Sequence, residues 1–218
     1  MDNVWSVEGT ISGMPLKRHM VVARLPDGRL LLHSVVAMND AEMAMLDGLG
    51  DVAFIVAPGP GHRIDVARYH ARYPKAQVLA PAASRAKITE KCPVDSTCED
   101  ALAAVPGVRA LPIPGLPVEL AYEIETGAGK VIVLNDVLGH GAAAPGLGGW
   151  VFGLLGTPEG KLGLPRIVRF VQVKDRAGVR TFVGGLAQRD DVVAVTLSHG
   201  SAVTGEVRGQ LREATSRV

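Results

Sequence analysis

The sequence predicts a layered α/β domain, and three observations predict it. Apolar residues make up 47% of the 218 positions, enough to build a full core. Three short runs, residues 52–57, 130–134 and 192–197, are continuously apolar or nearly so, the pattern of strands covered on both faces. Between them lie stretches with helical spacing and a first third that alternates and turns like an antiparallel sheet. No repeat, low-complexity segment or linker divides the chain, so residues 1–218 are expected to form one domain.

In order, residues 5–11 and 20–25 read as strands. Pro26, Asp27 and Gly28 form a turn signal, and residues 29–36 return as the third strand. Asn39 and Glu42 have the spacing of a capping box at the start of a helix that stops near Gly48 or Gly50. The strand at 52–57 is broken by Pro58, Gly59, Pro60 and Gly61. Asp65 then caps a helix with Val66, Tyr69, His70 and Tyr73 on one stripe, ended by Pro74. A strand at 77–80 and a helix at 82–89 follow, and residues 108–113 form a short strand. Residues 118–125 predict a half-exposed strand, with Val118, Leu120, Tyr122 and Ile124 inward and three glutamates outward. Residues 127–129 turn the chain into the buried strand at 130–134. The glycine density from Gly139 to Gly163 predicts a long loop with one helical turn at 150–155. Arg166, Arg169, Lys174, Asp175 and Arg176 read as a solvated charged face. The chain closes with a helix carrying Val207, Leu211, Ala214 and Val218 on one stripe.

With 23 basic and 22 acidic residues the net charge is +1, which argues against a dedicated nucleic-acid binder. No apolar run reaches the ~18 residues needed to span a bilayer, so no membrane partner is expected. The first ten residues lack a basic n-region, and Cys92 and Cys98 are spaced for neither a redox nor a zinc knuckle. A cytoplasmic, reduced protein is the expectation, with a small molecule as ligand or substrate and a homodimer left open.

The three buried runs end alike. The first leads to His62, the second to Asp136 and the third to His199, each just past a carboxyl end, where layered α/β folds place function. Were the three strands neighbours, two imidazoles and a carboxylate would converge into a divalent-metal site with open positions.

The segments RLLLHS (29–34), VAPGPGH (56–62), YPKAQVLAP (73–81), VIVLND (131–136) and LSHGSAV (197–203) resemble the metallo-β-lactamase superfamily, in a branch with a degenerate first motif. The resemblance runs over nearly the whole chain and implies a four-layer αββα sandwich. It also implies ligand positions. With His62 on the last histidine of H-x-H-x-D-H, Ala57 and Gly59 stand for the first two histidines and Gly61 for the aspartate. The Pro-Gly-His turn reads Pro114, Gly115, Leu116. Asp136 matches the bridging aspartate and His199, followed by Gly200, the last histidine. His33 takes the place of a supporting aspartate.

One position of the usual metal pair is thereby stripped of its histidines, and the other keeps His62, Asp136 and His199. The resemblance implies a metal-dependent hydrolase holding at most one zinc or iron ion, with His33, Asp65 or His140 as an additional ligand. The glycine-rich stretch begins three residues past Asp136, so its Trp150 and Phe152 are expected to cover the pocket mouth as a lid. The alternative is a metal-free protein of this fold that binds a small molecule or a partner without catalysis.

Overall fold

The computed structural model describes residues 2–10, 17–141, 156–157 and 160–218. Its first sheet has six strands in the order β1 (Val4–Thr10), β2 (Lys17–Arg24), β3 (Leu30–His33), β4 (Val52–Val56), β5 (Gln77–Ala80) and β6 (Ser96–Thr97). The first three pair antiparallel, and β3 to β6 run parallel. The turn at Gly28 takes φ +85°, which glycine adopts without a side-chain clash. β3 stops at His33 rather than running on to Val36 as expected. Ser34 takes a left-handed φ of 59° while its N–H bonds the Val56 carbonyl, which turns the chain out of the sheet.

Helix α1 (Asp40–Asp47) begins with the expected capping box, Asn39 and Glu42 bonding each other's backbone N–H groups. Helix α2 (Val66–Arg72) follows β4, and α3 (Arg85–Thr89) follows β5. The three lie on the outer face of the first sheet, where Met43, Leu46, Val66, Tyr69 and Ile88 pack on Val22, Leu32, Ile55 and Val78. Asp65 precedes α2 but does not cap it through its side chain, contrary to expectation. Its carboxylate is drawn instead to the guanidinium of the buried Arg18.

After the short helix α4 (Cys98–Ala101), the second sheet is built from β7 (Val108–Pro112), β8 (Leu120–Thr126), β9 (Gly129–Leu134) and β12 (Val192–Leu197), in the order β12-β9-β8-β7. β12 and β9 are parallel and the rest antiparallel. β8 is not half exposed. Ala121 and Glu123 are buried beside Leu120, Tyr122 and Ile124, as is Glu119 just before the strand. Their face is covered by helices the sequence reading missed. Those helices are α5 (Arg166–Val171) and α6 (Arg176–Leu186), followed by the closing α7 (Val207–Arg217). Val179, Val183, Leu211 and Ala214 pack there on Ile132, Leu134, Val195 and Leu197. The charged positions from Arg166 to Arg176 had hidden these helices, whose apolar residues recur at Val179, Val183 and Leu186.

Between the sheets lies a third apolar layer with Val21, Leu31, Val56, Tyr122, Val131, Val133 and Ala194. Helices, sheet, sheet, helices is the αββα order. A two-stranded ribbon, β10 (Gly139–His140) with β11 (Leu162–Gly163), stands outside both sheets. The helical turn expected at 150–155 and the lid residues Trp150 and Phe152 lie outside the described residues.

Candidate metal centre

Each sheet sends loops to the same edge of the sandwich. From the first sheet, β4 runs into Pro58 and Gly59, and residues Pro60–His62 make one 3-10 turn that ends on His62. From the second, β9 delivers Asn135 and Asp136, and its parallel neighbour β12 delivers Ser198 and His199. Parallel pairing sets Leu197 opposite Leu134, so the residues just past both ends share one side of the molecule.

The three side chains meet. His62 Nε2 lies 3.2 Å from Asp136 Oδ1, and His199 Nε2 lies 3.4 Å from the same oxygen. The two imidazole rings stand edge to face with centroids 5.2 Å apart. Among the described residues, this is the one group of three or more His, Cys, Asp or Glu side chains whose ligand atoms all lie within 4.8 Å of one another. A tetrahedral ion with bonds of about 2.0–2.1 Å has its ligand atoms roughly 3.3 Å apart, which is the spacing of each histidine from Asp136.

The outer nitrogens are held too. His199 Nδ1 sits 2.9 Å from the Lys17 carbonyl, which can only accept, so the Nδ1 proton is fixed there. Burial pushes the His199 pKa down, against the pull of Asp136, and favours the neutral ring. A neutral His199 protonated on Nδ1 turns its Nε2 lone pair toward Asp136 Oδ1. Two lone pairs facing each other at this distance repel unless a cation lies between them. His62 Nδ1 is 2.8 Å from Ser34 Oγ, a hydroxyl that can donate or accept. The left-handed Ser34 thus serves the site: the turn that ends β3 aims its hydroxyl at His62.

Asp136 rests on a buried carboxylate that sequence reasoning placed in solvent. Glu119 accepts from Asn135 Nδ2 and from the Asp136 backbone N–H, both at 3.0 Å. Burial and the Asp136 charge raise the Glu119 pKa to about 8, opposed by those N–H donors. For Asp136 burial also works upward, but His62, its hydrogen bond and the other histidines outweigh it and lower the pKa to about 2. The pair thus places its negative charge on Asp136, the oxygen donor of the cluster.

The additional ligands expected from the sequence do not join the cluster. His33 is buried against the Tyr122 ring, centroids 5.1 Å apart, and neither of its nitrogens has a hydrogen-bond partner. It points into the layer between the sheets, because its neighbours Leu31 and Tyr122 both belong to that layer. Asp65 is committed to Arg18. His140 lies in β10 and donates its backbone N–H to the His199 carbonyl. Its chain runs so close to Gly200 that a Cβ there would clash with the His140 carbonyl oxygen, which explains the glycine after His199. The positions where the resemblance would place further ligands hold packing residues instead. Ala57 and Leu116 are wholly buried, each in an apolar cluster. Gly115 turns the chain with φ +82° and packs against the Asp175 backbone.

Sequence reasoning missed Ser34, Glu119 and the Lys17 carbonyl. The position of Ser34 directly after a strand expected to continue gave no signal. The glutamate in Leu116, Pro117, Val118, Glu119 was masked by the alternation of the strand behind it.

An αββα sandwich with a histidine–aspartate–histidine cluster at one edge is the architecture of the metallo-β-lactamase fold. Solved structures of that fold match the chain over 99% of its length. They are the mono-zinc form of the metallo-β-lactamase FIM-1 from Pseudomonas aeruginosa (TM-score 0.63, 11% identity, 92% of that chain), the enzyme from Hirschia baltica (0.60, 12%, 94%) and that from Pontibacter korlensis (0.64, 14%, 94%). No family model matches the sequence, and no curated protein matches it significantly.

Proposed function

We propose that the protein is a metal-dependent hydrolase with a mononuclear centre held by His62, Asp136 and His199. The observation that carries this is the unrelieved approach of the His199 Nε2 lone pair to Asp136 Oδ1 at 3.4 Å, with the ring's proton already fixed on the Lys17 carbonyl. Zinc or iron suits two imidazoles and one carboxylate. A bound ion supplies Lewis acidity, which activates water and polarises the carbonyl or phosphoryl oxygen of an ester, thioester, amide or phosphoester. The chain's own residues orient the donors. Ser34 and the Lys17 carbonyl set the faces of His62 and His199, and Glu119 holds the Asp136 loop by its backbone. Asp136, held ionised by the histidines, would balance part of the charge of a bound ion.

A second reading, a metal-free binding protein, draws on the burial of Ala57 and Leu116 in apolar clusters. Elemental analysis of the protein purified without added metal, beside His199→Ala, decides. About one zinc or iron per chain, absent from the variant, is the expected result. A metal-free native protein that also fails to take up added zinc would favour the second reading.

A further inference from the structure

The surface of α5 combines apolar and cationic groups in a way the functional reading does not use. Val168 is the buried residue of this short helix. At 100° per residue, Phe170 stands opposite it and points outward. Phe170 is 78% exposed, Val171 68% and Ile167 48%, so three large apolar side chains share one turn of surface. Exposure of this kind, contiguous rather than scattered, marks an interaction site.

Cations rim it. Arg169 lies with its guanidinium 5.6 Å from the centre of the Phe170 ring. Arg176 has its pKa lowered by desolvation and then by the charges of Arg169 and Arg180, so these three guanidinium groups feel one another. Arg176 and Arg180 also donate to the Val218 carbonyl. Lys174 is exposed in the same stretch. The only acid between residues 166 and 180 is Asp175, whose carboxylate accepts from the Ala177 N–H at the start of α6. On the packed helix α7, Glu213 is taken up by Arg217. The near-even charge of the whole chain therefore hides a local excess of positive charge around an apolar tip.

We infer that this face docks the protein on an anionic membrane surface, Phe170, Val171 and Ile167 entering the interface and Arg169, Lys174, Arg176 and Arg180 meeting lipid phosphates. The chemistry is that of interfacial binding, in which a small apolar insertion and a basic rim act together. A second copy of the chain is the poorer occupant, since a two-fold contact would set the same cations against each other. An acidic protein would satisfy the rim, but three exposed apolar side chains at its centre suit insertion into a lipid interface. The face adjoins the metal-centre edge: Pro165, directly before α5, packs 3.4 Å from where a Cβ on Gly139 would lie, three residues past Asp136. The inference is independent of the proposed hydrolase.

The test is co-sedimentation of the full chain with vesicles of phosphatidylcholine alone and of phosphatidylcholine mixed with phosphatidylglycerol. Binding to the mixed vesicles only, weakened by salt, is expected. Arg169→Ser should weaken it about five-fold, the equivalent of one cation near the surface. Phe170→Ser should weaken it at least as much with an unchanged melting temperature, and Phe170→Trp should show a blue shift on vesicle addition beyond that of the native protein. No binding to mixed vesicles at low salt would overturn the inference, as would full binding by Phe170→Ser. A concentration-dependent dimer abolished by Phe170→Ser, or capture of polyglutamate without capture of vesicles, would replace it with a self-interface or an acidic partner. A large fall in melting temperature for Phe170→Ser would make the residue part of the core and also overturn it.

Discussion

Two buried ionisable residues near the cluster have separate tasks that substitution can tell apart. Glu119 holds the Asp136 backbone without reaching the cluster itself. Glu119→Gln keeps the volume but leaves Asn135 Nδ2 or the Asp136 N–H without its acceptor. Zinc affinity should fall by about 10–100-fold while the chain still folds, the cost of losing a group that orients a ligand. Unchanged affinity by competition with a chelator would reduce Glu119 to packing. His33 does not orient a donor, but it titrates. Burial first, and then the His62 charge, pushes its pKa down to about 3. A histidine with a depressed folded pKa stays neutral while the unfolded chain takes up a proton. Stability from it is complete above the unfolded value of about 6.5 and is lost as pH falls toward about 3, at up to roughly 1.4 kcal/mol per pH unit. His33→Leu removes two unpartnered nitrogens and should flatten this acid limb in denaturation curves taken across that window. An equally steep limb in the variant would assign the acid sensitivity elsewhere.

Elements were legible where one residue pattern decided them. The capping box at Asn39, the apolar runs of β4, β9 and β12, and the closing stripe of α7 follow from local chemistry, and they appear where the sequence put them. Elements decided by distant packing were not legible. β8 looked half exposed because its glutamates alternate, yet α6 and α7 close the second sheet's outer face, Glu119 turns to Asp136 and Glu123 is ringed by Arg109, Lys130 and Arg189. β3 ended early because Ser34 serves His62, a reason no window of sequence contains. The Pro114–Gly115–Leu116 turn is held by packing. Its glycine keeps φ +82° while Leu116 points into the core beneath α6. Leu116→Ala should therefore destabilise the protein by about 2–5 kcal/mol, the cost of a cavity in a packed core, without altering metal stoichiometry. A loss of less than about 1 kcal/mol in urea unfolding would mean the turn is loosely packed.

At the scale of the whole molecule the cluster joins two sheets that otherwise meet mainly through apolar contact. His62 belongs to the first sheet, Asp136 and His199 to the second, and the His19 N–H to Ser198 carbonyl bond is a direct backbone link beside them. An ion shared by these donors would tie the sandwich at one edge, so binding and folding should be linked. The three positions at Ala57, Gly59 and Leu116 have no side-chain donor, which leaves ligands for one ion. Titrating zinc into chelator-treated protein should raise the melting temperature up to one equivalent and then level off. At free zinc about a hundred times the dissociation constant, the gain corresponds to about 2.7 kcal/mol. His62→Ala and His199→Ala, which remove donors from opposite sheets, should each abolish most of that gain, because neither sheet retains a chelating set alone. A rise that continues to a second equivalent with equal steepness would show donors beyond these three. A gain that survives in His62→Ala but not in His199→Ala would place the ion on the second sheet only, and the tie between the sheets would then rest on the apolar layer.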